Sequence, residues 1–247
     1  MIDLKDIKLY RELRELNKKL FEEKNREKAL EIAEKIDNLI GKIDNKFKRW
    51  YLKQSVLKHL LGFEFKYPSL IPSITNTVDV IYFLYNILNI EIDSIVEIIK
   101  KWPYILRLST GYMEEKVNYL KSIGIKDIKN VVKKLPQAFG YDIVYIDEKV
   151  EFLKNLGFKL EEIVRYIEIN PAILAYSAKR FISRIEYARL KGYKIKSLSD
   201  VSSLVYPSDE KFIEKLKRLG YKVSLEEYLA FKESIESGNI DRKIELN

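Results

Sequence analysis

Apolar residues return at intervals of three and four through the middle of this chain, and the pattern itself repeats. Met113, Val117 and Tyr119–Leu120 recur as Ile146, Val150 and Phe152–Leu153, then as Phe181, Ile185 and Tyr187–Ala188. Each set lies along one face of an α-helix. The sets keep fixed places, the tenth and fourteenth, after a proline, and each ends on a glycine twenty-one residues beyond it: Pro103 to Gly124, Pro136 to Gly157, Pro171 to Gly192. The glycine predicts a helix end in the left-handed conformation, with Ile125, Phe158 or Tyr193 folding back onto the last turn. A shorter helix is predicted before each proline, over Asp93 to Trp102, Asp127 to Leu135 and Leu160 to Asn170. Proline cannot continue a helix, and it disfavours the helical conformation in the residue before it. One unit is therefore helix, break, helix.

A fainter copy begins at Pro68, with Asn89 in the glycine's place and Tyr82, Leu84, Leu88 and Ile90 as its apolar positions. A shortened copy follows Pro207, where Ile213, Leu216, Leu219, Gly220 and Tyr221 keep the register. Units that recur at a fixed period bury their apolar faces against one another, and terminal units depart from the pattern. The expected fold is an all-α helical-repeat solenoid. Residues 1–62 read differently: Leu9, Leu13, Leu16 and Leu20 form one stripe, and Ala29, Ile32, Ile36, Leu39, Ile43, Phe47 and Trp50 another, with a polar turn around Asn25. That predicts an N-terminal helical hairpin over 1–62, which either caps the first repeat or offers a dimerisation surface. The repeats then run over 63–221, and a capping helix and loose tail over 222–247.

The register resembles that of the mitochondrial transcription termination factor (mTERF) repeat. It is carried here by Pro136-Gln-Ala-Phe139, Ile146, Lys149-Val150, Phe152-Leu153 and Leu156-Gly157, and at the end by Ser208-Asp-Glu-Lys-Phe212 with Leu219-Gly220. The resemblance covers about residues 63–230 and leaves residues 1–62 outside the pattern. It implies a curved array of helical triangles, each two helices and a short third turn, with a basic groove for nucleic acid. Members of that family act in transcription or on ribosomal and intron RNA.

Composition narrows the function classes. With 47% hydrophobic against 33% charged residues, the chain has the balance of a folded, water-exposed protein rather than a disordered one. It has no apolar run of eighteen residues, so no membrane span is expected. The acids Asp3 and Asp6 near the start argue against a leader peptide, and the expected location is cytoplasmic. The absence of cysteine rules out disulfides and thiolate metal sites. Abundant Lys, Glu and Ile with two Met leans towards a thermophile, although an AT-rich genome gives the same bias. Catalytic chemistry is hardly represented: His59 is the one histidine, no glycine-rich phosphate loop occurs, and no carboxylate spacing suggests a two-metal site. Neither an enzyme nor a cofactor is expected.

A net charge of +8 favours a polyanionic partner, and its placement sharpens that reading. The thirteenth place after each proline is basic, as Lys116, Lys149 and Arg184, beside the apolar stripe and with no acid three or four residues away. Tyr119, Phe152 and Tyr187 lie one turn on, where a ring can pack on the cation. One reading is a ladder of phosphate contacts; the other is a row of stems that finish the core, each charge meeting an acid of the next repeat. A second row, Lys121, Lys154, Arg189 and Lys217, reads as helix-surface ion pairs, because Glu151, Glu186 and Glu214 precede its last three members by three residues. Lys133–Lys134 and Lys179–Arg180 flank the breaks between helices, where phosphates are readily met. The second pair opens a helix, where the dipole prefers acids.

Two functions follow. The first is a non-enzymatic, monomeric protein that holds double-stranded DNA or structured RNA through Lys116, Lys149, Arg184, Lys179, Arg180, Lys133, Lys134 and Arg189, and regulates transcription or its termination. The second is a helical-repeat scaffold for protein partners.

Overall fold

The computed structural model describes residues 4–236, and the expected loose tail from Ser237 onward lies outside them. Every regular element among these residues is helical. The chain divides between Asn118 and Tyr119 into two compact units.

The first unit opens with α1 (Leu4–Glu22), α2 (Arg26–Gly41) and α3 (Lys46–Leu61). The expected hairpin is thus three helices, because its second stripe is cut at Asn45. The Asn45 side chain accepts the backbone N–H groups of Phe47 and Lys48 at 2.9 and 3.0 Å and starts a new helix there. Asn25 does the same for α2 through Lys28 N–H at 3.1 Å. Leu13 and Leu20 of α1 and Ala29, Ala33, Ile36 and Ile40 of α2 are buried, whereas Phe47 is 70% exposed. The turn at Asn45 has moved it off the core face.

Then come a 3₁₀ turn (Pro68–Leu70), α4 (Ile74–Tyr82) running into a π turn (Phe83–Ile87), α5 (Ile92–Lys101) and a second 3₁₀ turn (Pro103–Arg107). Asp37 of α2 caps α4 by accepting from both N–H and Oγ1 of Thr75 at 2.9 Å. Asn76 Nδ2 donates to the Leu106 and Leu108 carbonyls at 2.5 and 3.2 Å, tying α4 to the proline turn. The long helix α6 (Thr110–Ser122) crosses into the second unit.

The second unit repeats one motif. It contains α7 (Ile128–Lys134), a 3₁₀ turn (Pro136–Gly140), α8 (Ile143–Asn155), α9 (Leu160–Ile169), a 3₁₀ turn (Pro171–Ala175) and α10 (Ala178–Leu190). It closes with α11 (Leu198–Val205), α12 (Asp209–Arg218) and α13 (Leu225–Glu236). The residue before each of the three repeat prolines leaves the helical conformation: φ is −147° at Trp102, −134° at Leu135 and −135° at Asn170, with ψ between 72° and 81°. At the far ends Gly124, Gly157, Gly192 and Gly220 have φ between 88° and 102°. The next residue's N–H reaches back to a carbonyl five residues earlier, from Ile125 to Leu120, Phe158 to Leu153, Tyr193 to Ala188 and Tyr221 to Leu216. Asn89, at φ 52°, makes the same left-handed turn in the faint first copy, with Ile90 N–H bonded to the Leu84 carbonyl. The core follows the stripes: Met113, Ile146, Phe181, Val117, Val150 and Ile185 are all buried.

Candidate nucleic-acid interface

The basic residues at the thirteenth place lie inside the molecule. Lys116, Lys149 and Arg184 are 2%, 5% and 0% exposed. Lys149, on α8, donates from Nζ to the Leu174 carbonyl at the end of the next proline turn. Arg184, on α10, donates from one terminal nitrogen to the carbonyls of Leu204, Val205 and Pro207 at 3.0, 3.0 and 2.6 Å. Its other terminal nitrogen meets Asp209 Oδ1 at 2.6 Å. These carbonyls belong to the ends of helical segments, which lack amide partners and form the negative pole of the segment. In the second unit each cation therefore caps the segment that follows it in the array.

This corrects the reading of Lys116, Lys149 and Arg184 as a phosphate ladder. A phosphate cannot reach a side chain so buried, and Lys149 Nζ and the two terminal nitrogens of Arg184 already have oxygen partners. Of Lys149 and Arg184, Arg184 meets an acid, Asp209, while Lys149 meets a carbonyl. The facing rings also differ from those one turn on. Lys116 Nζ is 4.9 Å from the ring centre of Tyr112, Lys149 Nζ is 5.5 Å from Tyr141, and the Arg184 guanidinium is 5.2 Å from Phe212.

Burial lowers Lys149 to about 8, with Glu148 opposing the shift only weakly. Asp209 shows the reverse balance. Burial raises it, but hydrogen bonds from Arg184 and Lys232 outweigh burial and hold it below the ordinary carboxylate value. Lys232 of α13 reaches Asp209 Oδ2 at 2.9 Å, so one carboxylate joins α10, α12 and α13.

Arg180 belongs with Arg184 rather than with the solvent. It is partly buried, donates from Nε to the Val205 carbonyl at 2.8 Å, and also reaches the Tyr206 and Pro207 carbonyls. Its guanidinium lies 4.8 Å from the centre of the Tyr176 ring, which stacks on Tyr206. Burial, and then the neighbouring charge of Arg184, lower its pKa. Its assignment as a phosphate contact is corrected because Nε and one terminal nitrogen are taken up by these carbonyls, although the side chain is less deeply placed than Arg184. Arg189 is exposed and paired with Glu186 at 3.2 Å, and Lys154 pairs with Glu151 at 2.6 Å, as the spacing of that row predicts. In the row's last copy Glu214 pairs with Arg218 rather than with Lys217.

Four of the sequence-selected cations remain exposed: Lys133 and Lys134 at the end of α7, Lys179 in the first turn of α10, and Arg189 in its pair with Glu186. Lys134 Nζ bonds the Ile169 carbonyl at 2.8 Å while staying at the surface. Sequence reasoning passed over Asp209 as the partner of a repeat cation, although it stands within the Ser208–Phe212 ending that marks the last copy. The carbonyl partners of Lys149 and Arg184 leave no trace in sequence. Among the described residues no three or more His, Cys, Asp or Glu side chains converge as a metal ion requires, and no helix is long and apolar enough to cross a membrane.

A model of the mTERF family matches residues 4–213. The match takes in residues 4–62, which the repeat register alone leaves out, and stops short of residue 230. No curated protein matches the chain.

Proposed function

The chain belongs to the mTERF family, and on that premise we propose that it is a non-enzymatic nucleic-acid-binding protein that holds double-stranded DNA or structured RNA by its backbone and acts in transcription or its termination. The family match, which spans most of the chain, carries this reading. The charge of +8 supports it, since a polyanion is the natural partner of a basic repeat protein. The contacts fall to Lys133, Lys134 and Lys179, which are exposed. Lys116, Lys149, Arg184 and Arg180 instead hold the repeats in shape.

The division of labour gives the test. In a binding titration with a mixed-sequence duplex at low salt, Lys133→Glu, Lys134→Glu and Lys179→Glu together weaken affinity by at least about tenfold whatever the sequence. The thermal midpoint of the triple variant falls by no more than a few degrees, because Lys134→Glu gives up the bond to the Ile169 carbonyl, worth about 1 kcal/mol, while the changes at Lys133 and Lys179 cost about 0.5 kcal/mol or less each. Unchanged duplex affinity in the triple variant removes these residues from the interface.

A further inference from the structure

Helix α3 carries five Lys or Arg and no acid in its sixteen residues. Its inward side, Leu52, Val56, Leu57 and Leu61, is buried. On the outward side Phe47 and Tyr51 stand one turn apart, 70% and 59% exposed, with Lys46 and Lys48 exposed beside them, while Lys58 further along pairs with Glu64 at 2.5 Å. The Phe47 ring meets Trp50 of the same helix, with centres 5.3 Å apart. Two large rings left mostly in water, on a helix that itself carries no acid, mark a surface for a partner.

We propose that this face of α3 binds single-stranded nucleic acid, with Phe47 and Tyr51 stacking on unpaired bases and the neighbouring lysines meeting the phosphates. It rests on the nucleic-acid reading above and adds a site of different strand preference. Bases within a duplex stack on one another and offer only their edges, whereas an unpaired base offers a face to an aromatic side chain. The two rings are separated by about 6 Å along the helix axis, against the base rise of about 3.4 Å in a duplex, so the strand that uses both is extended. The exposed lysines at the start of the helix, Lys46 and Lys48, complement a phosphate backbone beside the rings, whereas Lys53 and Lys58 are paired with Asp37 and Glu64. A membrane surface fits less well. Helices that lie on lipid turn their apolar side outward, and in α3 that side is already packed inside the first unit.

The test uses the full chain, a fluorescent oligo(dT) and a matching oligo(U) of about twenty nucleotides, and a duplex of the same length. Phe47→Ala with Tyr51→Ala is expected to weaken single-strand binding by at least about tenfold, since each stacked base contributes on the order of 1–3 kcal/mol by alanine substitution. Duplex affinity should stay within about twofold of the parent, and Phe47→Tyr with Tyr51→Phe should retain single-strand binding because the rings remain. Duplex binding together with an unchanged single-strand affinity in the alanine variant overturns this inference alone. Failure of the parent to bind any of the three probes overturns it together with the functional reading. Ring-dependent cosedimentation with phosphatidylserine vesicles, without single-strand binding, overturns it in favour of a lipid surface.

Discussion

A buried cation is costly unless its surroundings compensate, and the repeats of the second unit compensate with carbonyl oxygens. Arg184 has three such oxygens and the Asp209 carboxylate, so its loss uncovers several acceptors at once. Arg184→Met should lower the unfolding free energy by about 3 kcal/mol, measured by urea denaturation. Lys149 makes a finer test. Its folded value near 8 lies below the unfolded 10.5, so the unfolded chain binds more protons between those limits and stability rises with pH across the window. Comparison with Lys149→Met cancels the other titrations. The parent's stability relative to that variant should grow between pH 7 and pH 10.5, by about 3 kcal/mol at most. A flat difference would show that Lys149 is not held in a desolvated site. The sequence made these positions conspicuous, as cations beside an apolar stripe with no acid one turn away. Their role stayed hidden, because a backbone carbonyl has no letter of its own.

At the scale of elements, proline and glycine did most of the specifying. The proline marks where one helix must end, and the glycine where the next turns left-handed, which is why both breaks of each unit were legible. Gly157, at φ 95°, has open space where a Cβ would sit, so Gly157→Ala should cost about 1 kcal/mol from backbone strain alone. Asn89 provides the counterpart at φ 52°: Asn89→Ala should cost about 1 kcal/mol more than Asn89→Gly, since both remove the side-chain amide and only alanine strains the backbone. The same denaturation measurement checks all three. The N-terminal stripe was misread for the converse reason. Ile43, Phe47 and Trp50 continue the helical spacing of α2, but α2 ends at Gly41, and the side chain of Asn45, bonded to two backbone amides, starts a new helix in a different phase. A polar cap inside a periodic run competes with the period, and here the cap prevails.

For the whole molecule, the match to the family model extends the assignment to the N-terminal helices that lack the proline-to-glycine interval. Burial of Lys116, Lys149 and Arg184, and the carbonyl bonds of Arg180, leave a smaller set of exposed cations for a polyanion than the sequence suggested, with Lys133, Lys134 and Lys179 at helix ends beside the proline breaks. Each lysine that displaces counterions from B-form DNA contributes about 0.9 to the slope of log affinity against log salt. The most direct measurement is therefore a salt titration of duplex binding by the parent and by the variant with Lys133, Lys134 and Lys179 all changed to Glu. The expected result is micromolar or tighter binding by the parent at low salt that weakens steeply as salt rises, with the slope shallower by about 3 in the variant. No micromolar binding at low salt, or binding that salt leaves unchanged, contradicts a nucleic-acid-binding role.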